Sequence, residues 1–232
     1  MKVKNAPHYG WEWSSHQPLL QAIISIHKPI QIVELGLGMF STPILVKPQK
    51  YEFKYLGIDT DEEWIGEIKK TVVGGNNIVL RHQQLPNEVV WETLPKNLTE
   101  TQRKEIEEYY SKLFIELSLV KTSPNFLFVD NHSTCRTIAI CKLINIFDVV
   151  AYHDCQEPAG IDWYSYYFPK EMFITHNQLI LKTPTAWTGC FIKKELCKEK
   201  MLLLIDTIKE TLKKYQKENN LSETGFEILV RG

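Results

Sequence analysis

Short apolar runs alternate with amphipathic stretches along most of the chain, and the spacing is regular enough to predict its elements. Gln17 to His27 puts Leu20, Ile23, Ile24 and His27 on one helical face, and Pro29 stops that helix. Ile30 to Leu35 reads as a buried strand, followed by the loop Gly36–Phe40 and a short helix ending near Pro48. Tyr55 to Asp59 is a second strand, Glu62 to Val72 a helix closed by Gly74-Gly75, and Ile78 to His82 a third strand. Asn125 to Asp130 and Phe147 to His153 are the fourth and fifth, with a helix from Ser133 to Ile144 between them. Met172–Thr175 and Cys190–Lys193 are expected to add two antiparallel edge strands. Leu202, Ile205, Ile208, Leu212 and Tyr215 line one side of a long, lysine-rich terminal helix. The alternation specifies α/β: a Rossmann-like, doubly wound, mostly parallel seven-stranded sheet with helices on both faces.

Residues 1–232 read as a single domain, without repeats, low-complexity tracts or an evident linker. Two segments depart from the rhythm. Residues 1–28 form an aromatic cap, with Tyr9, Trp11 and Trp13 ahead of the first helix and Ser15 placed as its N-cap. Residues 96–121 are a helical insertion or a long crossover between strands three and four. Thr99 and Gln102 stand at capping-box distance there, and Ile106, Tyr109, Leu113 and Leu117 follow at helical spacing. Connection lengths favour a plain crossover, and a lid beside the substrate stays open.

Composition narrows the class. Hydrophobic residues at 44% and aromatic ones at 11% exclude a disordered chain. Lys and Arg number 27 against 28 Asp and Glu, a balance that argues against nucleic acid as the main partner. No apolar run approaches the roughly 20 residues of a membrane-spanning helix, and the opening MKVKNAPHYGWEWSSH has no signal-type apolar core. The five cysteines include no C-x-x-C pair, which fits reduced thiols and a cytoplasmic location.

The candidate chemistry lies at strand ends. In Ile32-Val33-Glu34-Leu35-Gly36-Leu37-Gly38 a buried strand ends in a carboxylate, turns through G-x-G and reaches Ser41-Thr42 at a helix start. Such a turn lets a ligand approach the backbone closely. About twenty-one residues beyond Gly38, the second strand ends in Asp59, where nucleotide-binding βαβ units carry the acid that holds ribose. Asp130 and His132 follow strand four, and His153 and Asp154 follow strand five. Carboxyl ends of neighbouring strands face one crevice in open α/β sheets, so these four are expected to converge.

VELGLGMFST resembles the first motif of class I S-adenosylmethionine-dependent methyltransferases, whose common form is acidic-x-G-x-G. The resemblance implies S-adenosylmethionine as cofactor. Gly36 and Gly38 would admit it, Ser41 and Thr42 would lie near its amino-acid end, Asp59 would bind the ribose, and Asp130 would stand beside it. Glu34 would orient the loop or meet the methionyl ammonium through water. Phe40 stands where many members have a third glycine.

Asp130, Arg136 and the run Asp148-Val149-Val150…His153-Asp154 also look like the pattern of sugar-directed O-methyltransferases, including the plant glucuronoxylan type. That implies methylation of an oxygen on a small-molecule or saccharide acceptor. His153 or Asp154 would take the acceptor proton, Asp130 would shape the pocket, and Arg136 would hold a substrate carboxylate or Asp154. Catechol-type relatives instead hold Mg²⁺ on carboxylates from these strand ends, here Asp130 and Asp154. Cys155 replaces the asparagine ligand of that type, so a divalent metal on Asp130 and Asp154 stays an open alternative rather than the expectation. Trp163, Tyr164, Tyr166 and Tyr167 either stack on the acceptor or line a packed helix face.

Two other readings stay open. Asp59-Thr60-Asp61 is a D-x-D triplet of the kind that binds metal and nucleotide-sugar diphosphate in glycosyltransferases, and a non-catalytic cofactor binder of the same fold would share the loop. An NAD-dependent reductase ranks last, because Glu34 stands where such enzymes carry an apolar or small residue.

Overall fold

A computed structural model describes residues 14–47, 49–72, 75–86, 97–155, 168–184, 186–222 and 225–231. The aromatic positions Tyr9, Trp11, Trp13, Trp163, Tyr164, Tyr166 and Tyr167 lie outside the described residues. In chain order the elements are α1 (Gln17–His27), β1 (Gln31–Leu35), α2 (Thr42–Leu45), β2 (Lys54–Asp59), α3 (Glu62–Thr71) and β3 (Ile78–His82). They continue with α4 (Glu100–Leu119), β4 (Asn125–Val129), α5 (Ser133–Leu143), β5 (Val149–Tyr152), α6 (Met172–Thr175), β6 (His176–Lys182), β7 (Trp187–Lys193), α7 (Lys194–Asn219) and β8 (Glu227–Arg231).

One sheet runs in the order β3-β2-β1-β4-β5-β7-β6-β8. The first five of these strands are parallel, and β7, β6 and β8 pair antiparallel. Strand periodicity divides the core into two layers. On β1 and β4, Ile32, Phe126 and Phe128 face α1, α3 and α7, whereas Val33, Leu127 and Val129 face α4 and α5. Both faces are therefore covered, which is why these strands read as continuous apolar runs rather than alternating ones. The order of strand succession reverses at β1, whose neighbours are β2 and β4, and a ligand crevice belongs outside the carboxyl ends at that point.

Local chemistry sets several boundaries. Asp61 caps α3 by accepting from the Trp64 N–H at 3.0 Å. Glu62 and Glu63 in its first turn and Lys69 and Lys70 in its last suit the helix dipole. Thr99 and Gln102 form the full capping box of α4, which connects β3 to β4 and buries Ile106, Tyr110, Leu113 and Leu117. Tyr110 rather than Tyr109 is the fully buried ring. No helix among the described residues is long and apolar enough to cross a membrane.

The structure corrects the sequence reading at four further places. Met172–Thr175 is a helical turn that buries only Met172, and the strand begins at His176. An apolar run of four cannot be assigned to helix or strand by periodicity alone. An eighth strand, Glu227–Arg231, lies at the sheet edge with Ile228 and Leu229 half-buried and the other three positions exposed, and its apolar run of three residues is too short to stand out in the sequence. In α7 the inward row is Leu204, Ile208, Leu212 and Tyr215, and Leu202 is 78% exposed. Ser15 does not cap α1: His16 holds the cap position without a side-chain bond, and Ser15 turns into the site described next.

Candidate active site

The β1 loop is built around a buried carboxyl. Glu34 has no exposure, and its two oxygens accept from Ser41 Oγ at 2.5 Å, Thr42 Oγ1 at 2.9 Å and the Tyr55 hydroxyl. Burial pushes the Glu34 carboxyl up to about 8, against the pull of the three hydroxyls. Thr42 Oγ1 also accepts from the Gly38 N–H at 3.1 Å, so Glu34 fixes the loop from beneath. The hydroxyls of Ser41 and Thr42 are thus engaged with Glu34, and α2 behind them is a single turn.

Asp59 fixes the same loop from the side. Its Oδ2 accepts from the Leu37 N–H at 2.7 Å and its Oδ1 from the Asp61 N–H at 3.0 Å. Each carboxylate oxygen retains a further lone-pair direction for a ligand hydroxyl. Trp64 adds a third tie, donating its indole N–H to the Leu37 carbonyl at 2.7 Å. Gly36 sits at φ +82°, and a Cβ there would stand 2.4 Å from the Asp130 carbonyl. Only glycine allows the β1 loop to lie this close to the end of β4.

A cleft of about 250 Å³ opens over these groups, near the lower end of the ~300–1,000 Å³ usual for small-molecule sites. Gly36, Leu37, Asp59, Asp61, Asp130, Asn131 and His132 line it, and Ile58, Trp64, Leu85, Tyr109 and Tyr110 supply its apolar walls. The cleft sets apolar walls beside three acids, Asp59, Asp61 and Asp130, an arrangement that can take a nucleoside with its base against the rings and aliphatics and its ribose against Asp59.

Asp130 belongs to this cleft and to a second cluster beside it. Arg136, on α5, spreads its guanidinium between two carboxylates, with Nη2 2.8 Å from Asp130 Oδ1 and Nη1 2.9 Å from Asp154 Oδ2. Its Nε donates to the Asn131 carbonyl at 2.6 Å, and Nη1 also donates to the His153 carbonyl at 3.2 Å. Arg136 is therefore the strut that holds the ends of β4 and β5 together. Asp154 sits at φ +56°, an uncommon conformation for a residue with a Cβ, held here by that ion pair.

His153 Nδ1 lies 3.6 Å from both Asp130 Oδ2 and Asp154 Oδ1, and its Nε2 is 3.1 Å from Ser15 Oγ. Burial alone would push this imidazole down, but the two carboxylates outweigh it and hold it above its ordinary value. Burial likewise works against the Asp130 charge, and the Arg136 guanidinium followed by His153 more than offsets it, leaving that carboxyl below the usual range. The His16 ring stands edge-on to that of His153 with centroids 4.7 Å apart. Burial, aided by His153, pushes His16 down to about 3.

The predicted residues therefore divide into two adjoining groups. Gly36, Gly38, Glu34, Ser41, Thr42 and Asp59 build the loop and its supports, and Asp130, Arg136, His153 and Asp154 build the charged pole. His132 lines the cleft and caps α5, its Nδ1 accepting from the Thr134 N–H at 3.3 Å. Sequence reasoning missed His16, Ser15, Trp64, Tyr110 and Asn131, whose Nδ2 donates to the Tyr110 hydroxyl at 2.5 Å. The Asp59-Thr60-Asp61 triplet has both acids bound to backbone N–H groups, one as loop tie and one as helix cap.

No family model matches the sequence, and no curated protein matches it. Solved structures do resemble it. A Klebsiella pneumoniae protein assigned as an O-methyltransferase superposes with a TM-score of 0.50 at 9% identity, covering 83% of this chain and 84% of that one. The O-methyltransferase TomG of Streptomyces achromogenes, in complex with SAM, gives 0.48 at 11% identity over 83% and 92%. An O-methyltransferase of Bacillus cereus, in complex with SAH, gives 0.48 at 11% identity over 82% and 84%. The first of these likenesses shows the architecture: the chain adopts the Rossmann-like methyltransferase fold, with eight strands where seven were expected.

Proposed function

We propose that the protein is an S-adenosylmethionine-dependent methyltransferase acting on an oxygen of a small-molecule or saccharide acceptor. The observation that carries this reading is the shared position of Asp130, which lines the nucleoside-sized cleft and also forms the charged pole with Arg136 and His153. A donor seated over Gly36 and Asp59 would carry its reactive carbon toward that pole.

The bound cofactor supplies a methyl group on a sulfonium, and methyl transfer to oxygen is an in-line displacement. In such a displacement the acceptor would have to give up its hydroxyl proton, and the charged pole would take it. Alignment accounts for most of the acceleration. Leu37, Ile58, Trp64 and Leu85 would hold the adenine, Asp59 the ribose hydroxyls, and Gly36 with Gly38 the backbone approach. Glu34, Ser41 and Thr42 would act beneath the loop, keeping its shape. Asp154 and Asp130, their side chains 21% and 20% exposed against 7% for His153, are the groups at the pole that an acceptor reaches; Asp130 also lines the cofactor cleft, so Asp154 would receive the proton. Arg136 and His153 would position it.

The acids of the D-x-D triplet serve backbone N–H groups, which argues against a metal-bound nucleotide sugar there. The single-domain organisation over 1–232, with an aromatic cap at 1–28 and α4 as a crossover beside the site, belongs to the same reading. Transfer of a labelled methyl group from S-adenosylmethionine across a panel of hydroxylated acceptors tests it. Label appearing in an acceptor supports the reading, and cofactor binding without transfer to any of them favours a non-catalytic binder.

A further inference from the structure

We propose that His16, Asp130 and His153 form a binding site for a divalent transition-metal ion, with Zn²⁺ the best match. One ligand atom from each lies within 4.8 Å of the others, and the three residues come from separate segments: before α1, after β4 and after β5. His16 is 3% exposed, and both its ring nitrogens are buried without a hydrogen-bond partner. Beside a backbone interaction with Phe40 the imidazole meets no polar group that satisfies it, and an ion is one that would. The Phe128 ring, 5.5 Å from that of His16, makes this side of the site apolar and dry.

The distances suit a metal better than a hydrogen bond. His153 Nδ1 and Asp130 Oδ2 stand 3.6 Å apart, beyond the ~2.7–3.2 Å of an N–H···O bond. Two ligands of a tetrahedral zinc with bonds of about 2.0–2.1 Å lie about 3.3 Å apart, so His153 and Asp130 already stand near that spacing, and His16 has to draw in from within 4.8 Å. The outer groups are in place as well. Ser15 Oγ engages the other nitrogen of His153 at 3.1 Å, and Arg136 holds the other oxygen of Asp130 at 2.8 Å, so two of the three ligands are oriented from behind. His153, held above its ordinary value, must lose its proton to bind an ion, and with both imidazoles neutral the two carboxylates against one guanidinium leave the pole a net negative charge of one.

These donors differ from the Asp130–Asp154 pair that would hold Mg²⁺. Arg136 occupies an oxygen of each acid in that pair, and two imidazoles with one carboxylate select a borderline ion over hard Mg²⁺. Three protein ligands leave a tetrahedral position open. That this position receives the acceptor oxygen rests on the methyltransferase reading; the ion site does not.

The test is calorimetric titration of the chelator-treated full chain with Zn²⁺, without cofactor, together with visible spectra of the Co²⁺ form. Expected are saturable binding of a single ion per chain and a tetrahedral-type Co²⁺ spectrum. His16→Gln should weaken binding by more than the ~10–100-fold typical of losing an outer partner, and Ser15→Ala should weaken it within that range. The exposed-histidine control His82→Gln should stay close to the parent protein, and Asp154→Asn, which removes a nearby charge but no ligand, should weaken binding less than His16→Gln does. Absence of saturable binding, equal affinity in His16→Gln, or loss in Asp154→Asn with retention in His16→Gln would overturn the site. Should His16→Gln fail to fold, an octahedral-type Co²⁺ spectrum of the unsubstituted protein would overturn it equally. S-adenosylhomocysteine affinity, measured on the same ion-free protein, reports separately on the methyltransferase reading.

Discussion

Arg136 and Asp154 form an ion pair of 2.9 Å between α5 and the residues just past β5, and the second arm of the guanidinium reaches Asp130 at 2.8 Å. The fork, not the charge alone, joins the two strand ends. Arg136→Lys keeps the charge but can serve one carboxylate at a time. The Lys variant should lose about 3 kcal/mol of unfolding free energy, the cost of breaking a largely buried pair. Urea unfolding measures it, and a loss below ~0.5 kcal/mol would show that the strut does not hold the site.

Asp154 is assigned the acceptor proton. Asp154→Asn keeps size and hydrogen bonding while removing the base, so S-adenosylhomocysteine affinity should stay within about twofold. Turnover should fall by about 10²–10⁴, the usual contribution of a positioned base. Calorimetry and label transfer read the two effects independently, and undiminished turnover would remove Asp154 from the mechanism.

Glu34 gives the fold a pH dependence of definite sign. Its carboxyl titrates at about 8 in the folded chain against 4.5 ordinarily, because burial disfavours the charge. The folded state therefore holds a proton that the unfolded state releases, and stability from this group is complete below about 4.5 and lost as pH rises through about 8. The slope reaches at most about 1.4 kcal/mol per pH unit. Comparing urea midpoints of the parent and Glu34→Gln across this window isolates the group. The parent should lose its relative advantage with rising pH, and parallel curves would contradict the assignment.

Gly36→Ala should cost at least about 2 kcal/mol even in the absence of ligand. The residue is held at φ +82°, and the added methyl would meet the Asp130 carbonyl at 2.4 Å. Thermal unfolding of the ligand-free protein measures the loss. A stability equal to the parent would mean that the loop and the end of β4 separate freely, and the cleft would then have no fixed floor.

Much of this arrangement is legible along the chain, and the remainder is hidden for identifiable reasons. Glu34, Gly36 and Asp59 announce themselves because a buried strand ending in an acid, a G-x-G turn and a second strand ending in an acid are local patterns. Thr99 and Gln102 are equally local, and their capping box is present as read. His16 and Ser15 give no such signal, since their partner His153 lies more than a hundred residues away and only the closed sheet brings them together. Ser15 invited the cap reading because serine before a helix usually serves there. Leu202 and Leu204 are both leucines, and only the packing of α7 on the sheet shows which one faces inward. Tyr109 and Tyr110 pose the same ambiguity one residue apart, and the two point into different surroundings.

Calorimetric titration with S-adenosylhomocysteine, run on the parent chain and on Asp59→Ala, is the most direct test of the cleft beside Gly36. Saturable binding by the parent, weakened at least about tenfold in the Asp59→Ala protein, is the predicted result. Heat no larger than dilution in the parent protein would contradict the account at its foundation.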